Sequence, residues 1–139
     1  MKEDSRSIAE LIEDHDPGYS LYRRLYSDTE IYELELERIV YRNWIMAGHV
    51  SELPAPGDFK VLGVAGESAI IVRGSDGDLK GFANVCRHRG SLVCLDDHGS
   101  TDRFACPYHG WMYDIDGKLF AARNMPDDFD MEAHSLKHV

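Results

Sequence analysis

The pattern of apolar and polar positions changes rhythm once along the chain, near Trp44. Upstream, apolar residues recur at helical spacing. Ile8, Leu11 and Ile12 do so in "SIAELIED", and Ile31, Leu34, Leu36, Ile39 and Val40 in "DTEIYELELERIVYRNW". Capping-box spacing precedes each stretch, from Ser7 to Glu10 and from Ser27 to Glu30. His15-Asp16-Pro17-Gly18 closes the first helix, and the alternation at Leu34 and Leu36 weakens the helical pattern of the second. Both read as packing elements without chemistry of their own.

Downstream, "IMAGHV", "DFKVLGV" and "SAIIVRG" are short runs rich in Val, Ile and Phe, separated by Pro, Gly and Ser. Gly74-Ser75-Asp76-Gly77 predicts a turn between "AIIVR" and "LKGFANV", and Asp116-Gly117 predicts a hairpin in "MYDIDGKLFAA". The expected fold is mainly β: a small antiparallel domain preceded by N-terminal helices. Its expected parts are a helical lead over residues 1–46, the β-domain over 47–125, and a tail over 126–139 with no clear element.

Composition narrows the partners. The formal net charge of the 139 residues is -10, which argues against nucleic acid or an anionic membrane. It favours a basic docking surface on any protein partner, or serves solubility alone. No apolar stretch is long enough to span a bilayer, and "MKEDSRSIAE" lacks the apolar region of a secretory signal. With three cysteines, two of them in paired motifs, the expectation is a cytoplasmic protein whose cysteines are kept for metal.

Those motifs carry the chemistry. "CRHRGS" places Cys86 and His88 together, and "CPYHGW" places Cys106 and His109 together, with 17 residues between His88 and Cys106. Thiolate and imidazole suit zinc or an iron-sulfur cluster, not magnesium or calcium. Zinc fingers pair cysteine with cysteine and histidine with histidine, whereas here each loop is mixed. Mixed loops fit two adjacent irons, one receiving Cys86 and Cys106, the other His88 and His109. This is the Rieske [2Fe-2S] arrangement, and mixed-ligand zinc is the alternative. Gly90 and Gly110 follow the histidines where the backbone turns tightly, and Pro107 stiffens the second loop. Neutral imidazole in place of thiolate raises the potential from roughly -400 mV to a range of about -150 to +300 mV. The second imidazole nitrogens are free to meet a partner or release a proton, which couples redox state to protonation.

"CRHRG" with "CPYHGW" resembles the Rieske domain of the α subunit of Rieske non-haem iron oxygenases. The segment from Tyr26 to Phe59 resembles what precedes that domain, with Trp44, Gly48-His49 and Pro56-Gly57-Asp58 as landmarks. The likeness covers residues 19 to 139. Respiratory Rieske proteins carry a disulfide cysteine in each loop and a membrane anchor; Ser91 and Tyr108 stand at those positions here. The resemblance implies electrons arriving from an NAD(P)H-dependent reductase, sometimes through a ferredoxin. They then pass to a mononuclear non-haem iron in a catalytic domain of the same or a neighbouring subunit, usually within a trimer. That iron hydroxylates or demethylates a small substrate. The chain is expected to be the Rieske portion of such a subunit, lacking the catalytic domain; a stand-alone Rieske ferredoxin is the alternative. "LFAARNMPDDFDMEAHSLKHV" is similar to the branch acting on glycine betaine, choline or stachydrine, whereas "HGW" is common in aromatic-ring hydroxylases.

Other candidates are weaker. Asp130, His134 and His138 imitate a mononuclear-iron motif but have the wrong spacing. Cys94 reads as a packed small side chain. His15, His49 and His98 read as surface or structural residues. Arg87 and Arg89 either dock a partner or pair with Asp96 and Asp97. Tyr108 and Trp111 read as shields limiting water access, with plain packing an equal role for Trp111.

Overall fold

The structure is a computed structural model and describes residues 5–139. The chain forms two compact units, Met1–Met46 and Ala47–Val139.

The first unit is helical. Helix α1 spans Ile8–Glu13, and the Ser7–Glu10 capping box forms reciprocally: the Ser7 hydroxyl accepts from Glu10 N, and the Glu10 carboxylate accepts from Ser7 N. A single turn, α2 (Arg24–Ser27), leads into α3 (Thr29–Arg38). The second cap differs from expectation. Asp28 caps α3, accepting from Glu30 N and Ile31 N, while the Ser27 hydroxyl donates back to Arg23 O inside α2. A carboxylate at this position also meets the positive end of the helix dipole. Helix α3 stops at Arg38 and does not reach Trp44, because β-branched Ile39 and Val40 turn the chain into a 3-10 turn, Val40–Arg42. Leu11 and Ile31 are its buried side chains among the described residues.

The second unit holds two antiparallel sheets. Strands β1 (Asp58–Val64), β2 (Glu67–Arg73), β3 (Leu79–Ala83) and β4 (His98–Ser100) form one sheet in the order β3-β2-β1-β4. Strands β5 (Arg103–Ala105), β6 (Met112–Asp114) and β7 (Leu119–Ala121) form the other, in chain order. Register follows burial: Phe59 pairs with Val72, and Ile70 with Phe82, so large apolar side chains share one face. Phe59 and Phe104 meet edge to face at 5.4 Å across the two sheets. Both predicted turns form, and they are tied together. The Asp116 carboxylate accepts from Ser75 N, the Ser75 hydroxyl and Lys80 Nζ, which locks the β6–β7 turn to the β2–β3 turn.

Two features depart from the sequence reading. "IMAGHV" is not a strand; His49 caps a 3-10 turn, Val50–Glu52, and the Glu52 carboxylate accepts from His49 N. Residues 126–139 pack on the β-domain. Leu136 is in the core and donates its N–H to Gly117 O, Ala83 N donates to Lys137 O, and Val139 N donates to Gly81 O. The tail thus continues the hydrogen bonding along the free edge of β3, answering backbone groups that an uncovered edge leaves open.

Candidate metal centre

The two cysteine–histidine loops have the same backbone. In the first, Cys86 N donates to Ser91 O and Gly90 N donates to Cys86 O. In the second, Cys106 N donates to Trp111 O and Gly110 N donates to Cys106 O. Gly90 and Gly110 occupy the same place in each turn with φ of 74° and 70°, a left-handed conformation that glycine adopts without strain. The histidine enters one residue earlier in the first loop than in the second, so related turns present their imidazoles from different steps.

This places like with like. Cys86 and Cys106 are 3% and 2% exposed. Burial pushes the Cys106 thiol up; the N–H groups of Tyr108 and His109 oppose that shift, and the neighbouring Cys86 thiol adds to it. His88 and His109 lie half-buried with ring centroids 4.6 Å apart and nearly perpendicular. Burial holds His88 below the usual imidazole range, helped by His109 and the charge of Arg89. Among the described residues no three His, Cys, Asp or Glu side chains converge on one point. The four residues form a thiol pair and an imidazole pair instead.

His88 Nδ1 is buried without a hydrogen-bond partner. A buried ring nitrogen left bare is costly, and a metal bond would satisfy it. Closely held thiols beside a pair of imidazoles are a soft donor set, and loading a metal would displace the thiol protons. The residues present therefore fit an iron-sulfur cluster.

The surroundings add what the sequence reading missed. The Tyr113 hydroxyl lies 3.4 Å from Cys86 Sγ and accepts from Arg87 N at 3.1 Å. Burial pushes its own ionisation well up, so it remains a donor. Asn84, fully buried, accepts from Val93 N and Cys94 N through Oδ1 and donates to Cys94 O and the Ser68 hydroxyl through Nδ2. That clamps the return of the first loop. A polar residue closing the apolar run "GFANV" was its only sequence cue.

Trp111 is 1% exposed and stacks on His88, with rings 4.7 Å apart and 11° from parallel, while Phe129 packs edge-on against it. Tyr108, 59% exposed, covers His109 at 3.8 Å. Each imidazole thus has one aromatic face, an inner one for His88 and an outer one for His109. Cys94 is a buried free thiol near Asp96 O, raised by burial, and reads as packing. His134 Nδ1 bonds Asp130 O and His138 packs on Phe82, so Asp130, His134 and His138 build no second site. His49 caps its turn, and His98 lies exposed on β4.

This pairing of buried thiols and half-buried imidazoles on twin loops between short antiparallel strands belongs to a known class. The chain belongs to the Rieske [2Fe-2S] domain family, whose pattern matches residues 43–134. It is 36% identical over 135 residues to a glycine betaine monooxygenase oxygenase subunit of Pseudomonas aeruginosa (strain UCBPP-PA14), covering 96% of this chain and 32% of that one. It is 46% identical over 110 residues to the biphenyl dioxygenase subunit alpha of Paraburkholderia xenovorans (strain LB400), covering 79% and 23%. The apo structure of the quaternary ammonium Rieske monooxygenase CntA superposes with a TM-score of 0.76 at 38% identity, covering 83% of this chain and 34% of that one. Naphthalene 1,2-dioxygenase from Rhodococcus sp. superposes with a TM-score of 0.84 at 30% identity, covering 94% and 30%. The chain spans about a third or less of the length of these relatives. No helix among the described residues is long and apolar enough to cross a membrane.

Proposed function

We propose that Cys86 and Cys106 hold one iron of a Rieske [2Fe-2S] cluster and His88 and His109 the other, and that the centre passes single electrons within an oxygenase α subunit. The observation that carries this reading is the twin-loop geometry, with its buried thiol pair, its imidazole pair and the bare, buried His88 Nδ1. The cluster supplies one-electron exchange. The chain's own residues do the rest. Tyr113 donates toward Cys86 Sγ, Trp111 fixes the plane of His88 and keeps water from that face, and half-buried His109 presents the ring edge that a partner reaches.

Relatives that are oxygenase subunits favour this role over a free electron carrier. In this reading electrons come from an NAD(P)H-dependent reductase or its ferredoxin. They leave for a mononuclear iron in a catalytic domain of the same or a neighbouring subunit, in a trimeric cytoplasmic enzyme. A quaternary ammonium substrate is favoured on sequence alone, where the glycine betaine relatives match 96% of the chain and the biphenyl relatives 79%; the folds of both classes superpose on it. Iron and acid-labile sulfide assays with EPR of the reduced protein test the centre. Equal iron and sulfide with a Rieske spectrum is the expected result, and tightly bound zinc without sulfide would overturn it.

A further inference from the structure

Trp111 has no polar anchor. Its indole is 1% exposed, yet Nε1 is buried without a hydrogen-bond partner. A buried indole N–H usually meets an acceptor, and that bond helps to fix the ring plane. Here ring contacts do so instead. His88 takes one face at 4.7 Å, while Phe129 at 5.4 Å and His134 at 5.9 Å meet the indole edge to face. Phe129 and His134 also pack on each other at 4.4 Å.

Both of these partners come from residues 126–139, and the fold pins that tail on either side of them. Met125 packs against the core before the pair. After it, Leu119 N donates to the Ser135 hydroxyl, Leu136 is buried, and Ala83 N donates to Lys137 O. Between the pins, His134 is preset by its own turn. The Asp130 carboxylate accepts from Ala133 N at the start of the 3-10 turn Glu132–His134, and Asp130 O accepts the Nδ1 proton of His134. Asp130 and His134, which imitate a metal motif in sequence, thus hold a ring in the fold.

We propose that Phe129 and His134 are positioning residues for electron transfer: as an aromatic strap they hold Trp111 flat against His88 and keep water from that side of the centre. The inference rests on the electron-transfer reading of the twin loops. Two ferric ions, two sulfides and two thiolates are neutral together, so one-electron reduction leaves a net negative charge. Water favours that charged state, and a dry aromatic cover disfavours it. The strap therefore keeps the potential below the value an open His88 would give. It acts on one side only, because His109 is covered by Tyr108 from its own loop.

Voltammetry and pulsed EPR of the loaded chain test the strap. Phe129→Ala is expected to raise the potential, so that at the wild-type midpoint reduced protein exceeds oxidised about fivefold, the effect of losing one aromatic pair. In D2O the same variant should show more exchangeable deuterons near the reduced centre. One of the two histidine nitrogen couplings should move while the other holds. His134→Ala shifts these readings the same way by less, and Phe129→Tyr, which keeps the ring, restores wild-type values. Ile70→Val, in the buried face of β2, lowers the urea midpoint but leaves potential and couplings alone. Iron and sulfide are checked on every sample, and Phe129→Leu replaces Phe129→Ala if that variant loses its cluster. A potential that stays or falls, or two couplings that move together, overturns the strap while the cluster stands. A shift shared by Ile70→Val reduces the effect to lower stability and also overturns it. A wild-type chain without iron and sulfide overturns the electron-transfer reading itself, and this inference with it.

Discussion

The Cys86 loop and the Cys106 loop share a backbone and differ in what holds it. The first is secured by buried polar side chains: Asn84 bonds three backbone groups at its return, and Tyr113 reaches both Cys86 Sγ and Arg87 N. The second relies on its own sequence. Pro107 fixes φ, the N–H groups of Tyr108 and His109 face Cys106, and Tyr108 lies on His109. Equal turns can therefore be built by distant polar clamps or by local stiffness, and the two should fail differently.

The largest effect erases the difference. Cys86→Ala and Cys106→Ala each remove half of the thiol pair, so either is expected to abolish iron and sulfide binding. Retention of a stoichiometric cluster by either variant contradicts the assigned ligands. The next change exposes the difference. Asn84→Ala strands Val93 N, Cys94 N and Cys94 O in the core, at a cost of about 2–4 kcal/mol. Pro107→Ala stays within roughly 1 kcal/mol, because it only loosens the unfolded and loop ensembles. Urea unfolding with cluster retention after dilution measures both, and equal losses would mean that the clamp contributes nothing particular.

A smaller effect separates the two sulfurs. Tyr113→Phe removes the O–H near Cys86 Sγ and leaves the N–H groups facing Cys106 in place. A donor to sulfur favours the reduced, more negative centre, so the potential is expected to fall on the order of 50 mV, about one kcal/mol for one electron. Voltammetry of the two proteins checks this; an unchanged or higher potential removes Tyr113 from the centre.

The same contrast explains what could be read from the chain. Strands β1, β2, β3, β6 and β7 were legible because β-branched runs and Gly-Asp turns are local signals. The twin half-sites were legible because their residues are adjacent in sequence. The capping of α3 was misplaced by one residue because Ser27 and Asp28 are both good caps, and only the geometry of α2 chooses between them. Strand β4 was invisible because "HGS" is short, exposed and without alternation, and it pairs with β1 some 40 residues upstream, Phe59 facing Gly99. Asn84, Tyr113 and the tail along β3 were missed for a related reason: their value lies in partners that the fold supplies and spacing does not announce.

Asp116 tests whether the difference between the loops is local to them. It ties the turn after β6 to the turn between β2 and β3, at the end of β6 away from Cys106 and Trp111. Its carboxyl is held at about 2, below the ordinary 3.8, chiefly by Lys80 and then by Ser75. A lowered folded-state value means that the tie contributes fully above pH 3.8 and is lost as the pH falls toward about 2. The metal-free wild-type chain should therefore exceed Asp116→Asn in urea midpoint near neutrality, with the gap closing over that acid window. A gap constant with pH would show that the carboxylate is not the source of the tie. At neutral pH the loaded Asp116→Asn protein should keep the potential and EPR spectrum of the wild type. If it does, the loops are held by their own supports, Asn84 and Tyr113 on one side and Pro107 and Tyr108 on the other. A shifted spectrum would mean instead that the sheets transmit strain from one end of β6 to the other, and that the two loops are not independently built.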